Sequence, residues 1–123
     1  MSLETVRLSE QGKNQLIKLK RATGIKQWNI LCRWALCTSL SDPTPPLVRD
    51  VVADSNVEMT WKTFAGAQAP IYEALIAQRA HAEGESELSR TASAHIHRGI
   101  GVLSSQVSDM TSLLSGALIQ QAN

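Results

Sequence analysis

The sequence predicts a mainly α-helical domain with a minor β component, an α+β chain in which a strand-helix-helix unit precedes a helical bundle. Three observations predict it. Thr5 to Ser9 and Asn56 to Phe64 alternate apolar and polar residues, the period of a half-buried strand. Trp28 to Cys37 is apolar on nearly every side, as a helix in a core or an oligomer interface would be. Ile96, Ile100, Leu103, Val107, Met110, Leu114 and Ala117 recur at spacings of 4, 3, 4, 3, 4 and 3, a helical seam. At 123 residues the chain is long enough for one domain with one core. It divides into a basic strand-helix-helix segment (1–40), a Pro-rich and acidic connection (41–55), and a segment with a strand or helix followed by two helices (56–123).

The stretch Thr23 to Leu40, TGIKQWNILCRWALCTSL, is the one around which the other elements are expected to pack. Gly24 is suited to the left-handed conformation that ends one helix before the next begins. After it, Trp28, Ile30, Leu31, Cys32, Trp34, Ala35, Leu36 and Cys37 leave a narrow polar side, shared by Asn29 and Arg33. This predicts a buried helix over 27–40, with Trp34 in the core and both cysteines as reduced, buried thiols. A disulfide between positions five apart on one helix is geometrically poor. Trp28, Trp34, Trp61, Phe64 and Tyr72 read together as core rather than as stacking platforms for bases.

In chain order, Val6 and Leu8 face one side of the first strand and Thr5 and Arg7 the other. Ser9 stands where a helix N-cap would, with Glu10 in the first turn. A helix over 10–22 follows, with Leu16 and Leu19 on its apolar side. Asn14, Lys18 and Arg21 share its far side. The order strand, basic helix, glycine turn, buried helix resembles the ribbon-helix-helix module of DNA-binding repressors. There two chains pair their strands, and outward strand side chains touch base edges. On that resemblance Arg7 and Thr5 would face the groove, and the N-terminus of the second helix, near Ile25 to Gln27, would hold a phosphate.

Pro43, Pro45 and Pro46 favour an extended segment that wraps the surface. Residues 48–55 read as irregular. Residues 56–64 suit a strand with Val57, Met59 and Trp61 on one side, and a helix starting near Ser55 competes for the segment. That strand could pair with residues 5–9 of the same chain, in place of a ribbon between chains. Pro70 fits the first turn of a helix to about Ala82, with Ile71, Leu75 and Ile76 facing the core and Gly84 ending it. The seam from Ile96 predicts a last helix that caps the core or joins chains. Small residues such as Gly99 allow another helix to approach it closely.

The net charge of +1 conceals an asymmetry. Residues 1–40 hold seven basic and two acidic side chains, a net of +5, and residues 41–123 hold five and nine, a net of −4. Lys18, Arg21 and Lys26, followed by Lys13 and Lys20, are therefore the candidate phosphate contacts, and Arg7 is the candidate DNA contact that reads bases if the ribbon forms. No apolar run is long enough for a membrane span, and MSLETVRLSE lacks the features of a signal peptide, so a cytoplasmic location is expected. His95 and His97 project about 200° apart on a helix and cannot share one metal ion. No glycine-rich phosphate loop and no thiol-histidine pair is apparent. No enzyme activity, cofactor or metal is expected.

The run VRLSEQGKNQLIKLKRATGIKQWNILCRWALC, followed by DSNVEMTWKTFAG, IYEALIAQR and HIHRGIGVL, resembles the DndE family of DNA sulfur-modification proteins over residues 5–105. The resemblance implies an accessory role in bacterial DNA phosphorothioation, where sulfur replaces a non-bridging phosphate oxygen. It implies other proteins of that pathway as partners, which carry the sulfur chemistry, and double-stranded DNA, including nicked duplex, as ligand. A homo-oligomer, dimer or tetramer, is expected from the seam and the apolar helix. A transcriptional repressor and a protein-protein adaptor are the alternative functions.

Overall fold

The computed structural model describes residues 3–122, with side chains described through residue 110. The elements run β1 (Thr5–Arg7), α1 (Glu10–Thr23), α2 (Trp28–Leu40), β2 (Glu58–Thr60), α3 (Trp61–Ala65), a 3-10 turn (Gly66–Gln68), α4 (Ala69–Ala82) and α5 (Leu88–Ala122). The chain is mainly helical with a small antiparallel sheet, as the patterning predicts.

β1 pairs with β2 of the same chain, with Thr5 opposite Thr60, Val6 opposite Met59 and Arg7 opposite Glu58. The Leu8 N–H donates to the Val57 carbonyl (3.0 Å) and the Trp61 N–H to the Glu4 carbonyl (2.8 Å), which extends the ladder at both ends. Of the competing expectations for residues 56–64, the strand is found over Glu58–Thr60, and the helix begins at Trp61 rather than near Ser55. The alternation holds through Thr60, whose hydroxyl then accepts from the Thr63 N–H and caps α3. The strand pairing inside one chain replaces the ribbon between chains.

α1 starts at Ser9, whose hydroxyl accepts the Gly12 N–H (3.0 Å). It ends at Gly24, whose φ of 76° closes the helix with a bond back to the Lys20 carbonyl. Leu16 and Leu19 are fully buried, and Lys18 and Arg21 are exposed.

The core is built on the crossing of α2 and α5. A Cβ placed on Gly99 would lie 1.7 Å from the Ala35 carbonyl oxygen, so the two backbones touch there and only glycine fits. Ile96 and Ile100 fill the space on either side of Gly99, and Leu31, Cys32 and Leu36 face them from α2. On the other side of α2, Phe64 is fully buried between Trp61 (5.0 Å between ring centroids) and Tyr72 (5.9 Å).

Three side-chain expectations are corrected. Trp34 is 55% exposed, because the buried face of α2 runs through Leu31, Cys32, Ala35, Leu36 and Ser39, and residue 34 is turned away from it. Cys37 is exposed on the same outer side, while Cys32 is buried. In α4 the buried residues are Ile76 and Ala80, and Ile71 and Leu75 are exposed. That short helix touches the core along one narrow line, which four-residue spacing from Ile76 selects.

The terminal helix begins at Leu88, earlier than its seam implies. Ile96 and Ile100 are buried, Leu103 and Val107 pack half-buried against the core, and Met110 is exposed. The seam residues Leu114 and Ala117 lie outside the described side chains. The proline segment wraps the surface as expected, with Pro46 buried and the Thr44 carbonyl held by Arg98 (2.8 Å). No helix among the described residues is long and apolar enough to cross a membrane.

Candidate nucleic-acid interface

α1 turns about 100° per residue, and this decides which of its cations stand together. Lys13 and Lys20, seven apart, share one edge. Arg21 and Lys18 share the outer face, about 60° from each other. The exposed turn of residues 22–24 then leads to Lys26 and to the start of α2. Lys20 is held over this turn by its ammonium group, 4.1 Å from the centre of the Trp28 ring. The Lys18 ammonium meets the Ser108 hydroxyl on α5, and Lys13 donates to the Asn56 side chain (2.9 Å).

Arg7 is not part of this group. Its Nε–H donates to the Ser55 carbonyl (3.1 Å), and its neighbour across the ladder is Glu58. The structure thus gathers Lys18, Lys20, Arg21 and Lys26 around the α1–α2 turn, sets Lys13 further along α1, and leaves Arg7 on the sheet.

Charge pairing separates the two parts of the chain. Arg49, Arg79, Arg90 and Arg98 all form ion pairs with carboxylates. Among the described residues, none of the seven cations of residues 1–40 does. For Lys20 and Arg21 a purely structural account exists, since cations in the last turn of a helix meet its negative end. Lys26 has the opposite setting. It precedes α2, whose N-cap residue Gln27 makes no side-chain cap bond. A cation beside the positive end of a helix, with free backbone N–H groups in its first turn, favours an anion from outside.

The histidines have other tasks. Ser39, His95 and Glu83 form a buried chain: the Ser39 hydroxyl meets His95 Nδ1 (2.7 Å), and His95 Nε2 meets Glu83 Oε2 (2.9 Å). Sequence reasoning missed this chain, because its members are spread over α2, the end of α4 and α5. It superficially resembles a nucleophile triad, but the Ser39 oxygen already accepts from Arg98 Nε–H (2.8 Å) and is buried. Arg98 can only donate, so the Ser39 O–H points to Nδ1 and His95 carries its proton on Nε2, toward Glu83. The other nitrogens of Arg98 donate to the Ser39 and Thr44 carbonyls (2.8 Å each), and Arg79 donates to the Leu40 carbonyl (2.5 Å). The group therefore closes the C-terminus of α2, whose carbonyls have no helical partners.

His97 faces elsewhere. Its Nε2 accepts the Ser9 N–H (3.0 Å), and its Nδ1–H donates to the Ser93 carbonyl (2.7 Å). Burial lowers the pKa of both histidines from the ordinary value. Burial also pushes the Cys32 thiol up to about 12. A cleft of about 510 Å³ opens between α1, the 46–51 segment and α5, walled in part by Gln15, Leu47, His97 and Val102. None of the six candidate cations lines it.

A helix-rich fold with a two-stranded sheet and a cationic turn between its first two helices, free of ion pairs among the described residues, defines the class: a small, mainly α domain with a basic surface. The family described as "DNA sulphur modification protein DndE" matches residues 5–110, and the chain belongs to that family. A crystal structure of DndE from Escherichia coli B7A, titled as involved in DNA phosphorothioation modification, has a TM-score of 0.68 and 26% sequence identity, and the match covers 84% of this chain and 99% of that one. A DndE G21/24K mutant structure shares the fold, with a TM-score of 0.64 and 24% identity over 81% of this chain and 95% of that one. No curated protein sequence matches the chain.

Proposed function

We propose that this protein is a non-catalytic, DNA-binding accessory of a DNA phosphorothioation system, and that it holds the duplex by its phosphates at the α1–α2 turn. The observation that carries this reading is the exposed Lys26 beside the N-terminus of α2, whose N-cap side chain makes no cap bond, with Lys18, Lys20 and Arg21 on the preceding helix and none of them ion-paired among the described residues. Phosphate oxygens satisfy the free N–H groups and release counterions from the cations. Such contacts place the protein on the duplex without reading bases. Nicked duplex is the favoured form in this reading, which rests on the family, and sulfur transfer belongs to partner proteins of the pathway.

Assembly into a homo-oligomer has its own support. Ile30, Trp34 and Cys37 form a stripe at spacings of four and three on the outer side of α2, and Trp34 is more than half exposed. Such a stripe is suited to a second copy or to another protein of the pathway.

The test is a salt series of binding to intact and nicked duplexes by the protein and by a Lys18→Glu, Lys26→Glu double variant. The protein is expected to bind with a steep salt dependence, and the variant to bind all sequences more weakly with a shallower slope. Equal affinity and slope in a variant of unchanged fold and assembly would remove the reading.

A further inference from the structure

A second group of cations lies outside the α1–α2 turn, on the side of α2 that faces α3. Asn29 and Arg33, four apart, follow one line of α2, and Lys26 stands just before its N-cap residue Gln27. This line is fixed against α3 at two points: Asn29 Nδ2–H donates to the Thr63 carbonyl (3.2 Å), and Arg33 Nε–H donates to the Phe64 carbonyl (2.6 Å). Lys62 stands exposed on α3, and its side chain enters no ion pair among the described residues.

The Arg33 guanidinium differs from the arginines of the later part of the chain. The four arginines from Arg49 to Arg98 are each neutralised by a carboxylate, and Arg33 has none among the described residues. Its Nε is occupied by a carbonyl, which orients the plane. Its two terminal nitrogens pass over Gly66, where an added Cβ would lie 3.8 to 4.0 Å from the guanidinium. Neither terminal nitrogen is among the buried polar atoms without a partner, so both have solvent or a ligand to meet. A guanidinium fixed at Nε, with its Nη pair free, presents the fork that binds two oxygens of one phosphate. Glu73, on α4, accepts from the Trp61 ring nitrogen (2.9 Å) and forms no ion pair with Arg33 among the described residues.

We propose that Arg33 and Lys62 form a second phosphate-contact site on the α2–α3 face, continuous through Lys26 with the α1–α2 turn, and that it extends the bound track of a nucleic-acid backbone. The proposal rests on the DNA-binding reading above, and it adds residues which that reading does not need. Asn29 and the Phe64 carbonyl act as positioning groups. The site is indifferent to base sequence, since it offers only charge and a planar fork to phosphodiester oxygens.

The experiment measures affinity of the full chain for a fluorescent random-sequence duplex at several salt concentrations. Lys62→Gln, Arg33→Gln and Arg33→Lys are compared with Lys26→Gln, with thermal melting as a control for folding. Lys62→Gln and Arg33→Gln are each expected to lower the log–log salt slope by about 0.9. Arg33→Lys, which keeps the charge and loses the fork, should hold the slope and weaken binding. The Lys62 side chain makes no hydrogen bond or ion pair among the described residues, so its variant tests the site even where Arg33→Gln unfolds. If Lys62→Gln and a folded Arg33→Gln both keep the parental slope while Lys26→Gln lowers it, the second site is overturned and the α1–α2 turn stands. If the parent itself shows no salt-dependent binding, both readings fall.

Discussion

His97 is a single residue on which pH should act. Its Nε2 is an acceptor for the Ser9 N–H, so a proton there would set two donors against each other. Burial lowers its folded pKa below the unfolded value of about 6.5. Between those two values the unfolded chain binds more protons, so stability should fall as pH drops from about 6.5 through the folded pKa and should be fully present above 6.5. His95 is shifted in the same direction and adds to the slope, although its Nε2–H toward Glu83 survives protonation. Urea melts across this window should move steadily, and His97→Gln should flatten part of the trend. Identical midpoints at every pH would contradict the assignment of His97 as a neutral acceptor. The cysteines offer a second residue-scale test. A small alkylating reagent should modify exposed Cys37 in the folded protein and reach Cys32 only on unfolding, because the latter is buried with its thiol pKa near 12. Equal labelling rates would contradict the burial of Cys32.

At the scale of elements, the contact of α2 with α5 decides the fold. Gly99→Ala would drive a methyl group into the Ala35 carbonyl, and backbone has no rotamer by which to yield. A cost at or above the upper end of ~1–3 kcal/mol is expected, measured as a shift in the urea midpoint. A midpoint within error of the parent would mean that the helices do not touch there. Phe64→Ala should cost about 3–5 kcal/mol, since the ring is fully buried between Trp61 and Tyr72. Trp34→Ala is the contrast within α2. Its exposure predicts a small effect on the stability of a lone subunit and, on the assembly proposed above, a loss of oligomer. Sedimentation of parent and variant at equal concentration separates the two effects. A parent that sediments only as a single chain would remove the proposed assembly.

For the whole molecule, the four arginines after residue 40 are paired with carboxylates, whereas none of the seven cations of residues 1–40 is, among the described residues. Glu83 illustrates the first case, with Arg49 at 3.1 Å, Arg79 at 3.8 Å and His95 at 2.9 Å around one carboxylate. Lys26, exposed beside a helix N-terminus, illustrates the second. This separation predicts that salt weakens binding to a polyanion far more than it changes stability. Buried pairs are screened little, and the cations of residues 18–26 form no ion pair among the described residues for salt to weaken. Melting and DNA affinity measured over one salt series should show a steep affinity slope beside a nearly flat melting temperature. A melting temperature that falls in parallel with affinity would mean that the basic surface holds the fold together.

Local physics explains what the sequence determined by itself. Ser9 and Gly24 bound α1 because an N-cap hydroxyl and a left-handed glycine act within one turn of the chain. The apolar positions Leu16, Leu19, Ile96 and Ile100 were legible because helical periodicity is a property of neighbours in sequence. The family was legible for a similar reason, from runs such as GIKQWNILCRWALC and MTWKTFAG. The cationic turn could be read as a concentration of charge, although which cations stand together could not. Only the tertiary structure decided which side of α2 is inside, since a helix apolar nearly all round carries no directional signal. The position of Gly99 against Ala35 selects that side and leaves Trp34 out. The partner of β1 was decided in the same way, because alternation marks a strand without naming its neighbour. So were the links from Ser39 to His95 and from Arg33 to Phe64, which join residues 56 and 31 positions apart. Such contacts depend on how helices cross, and periodicity within each helix does not encode the crossing.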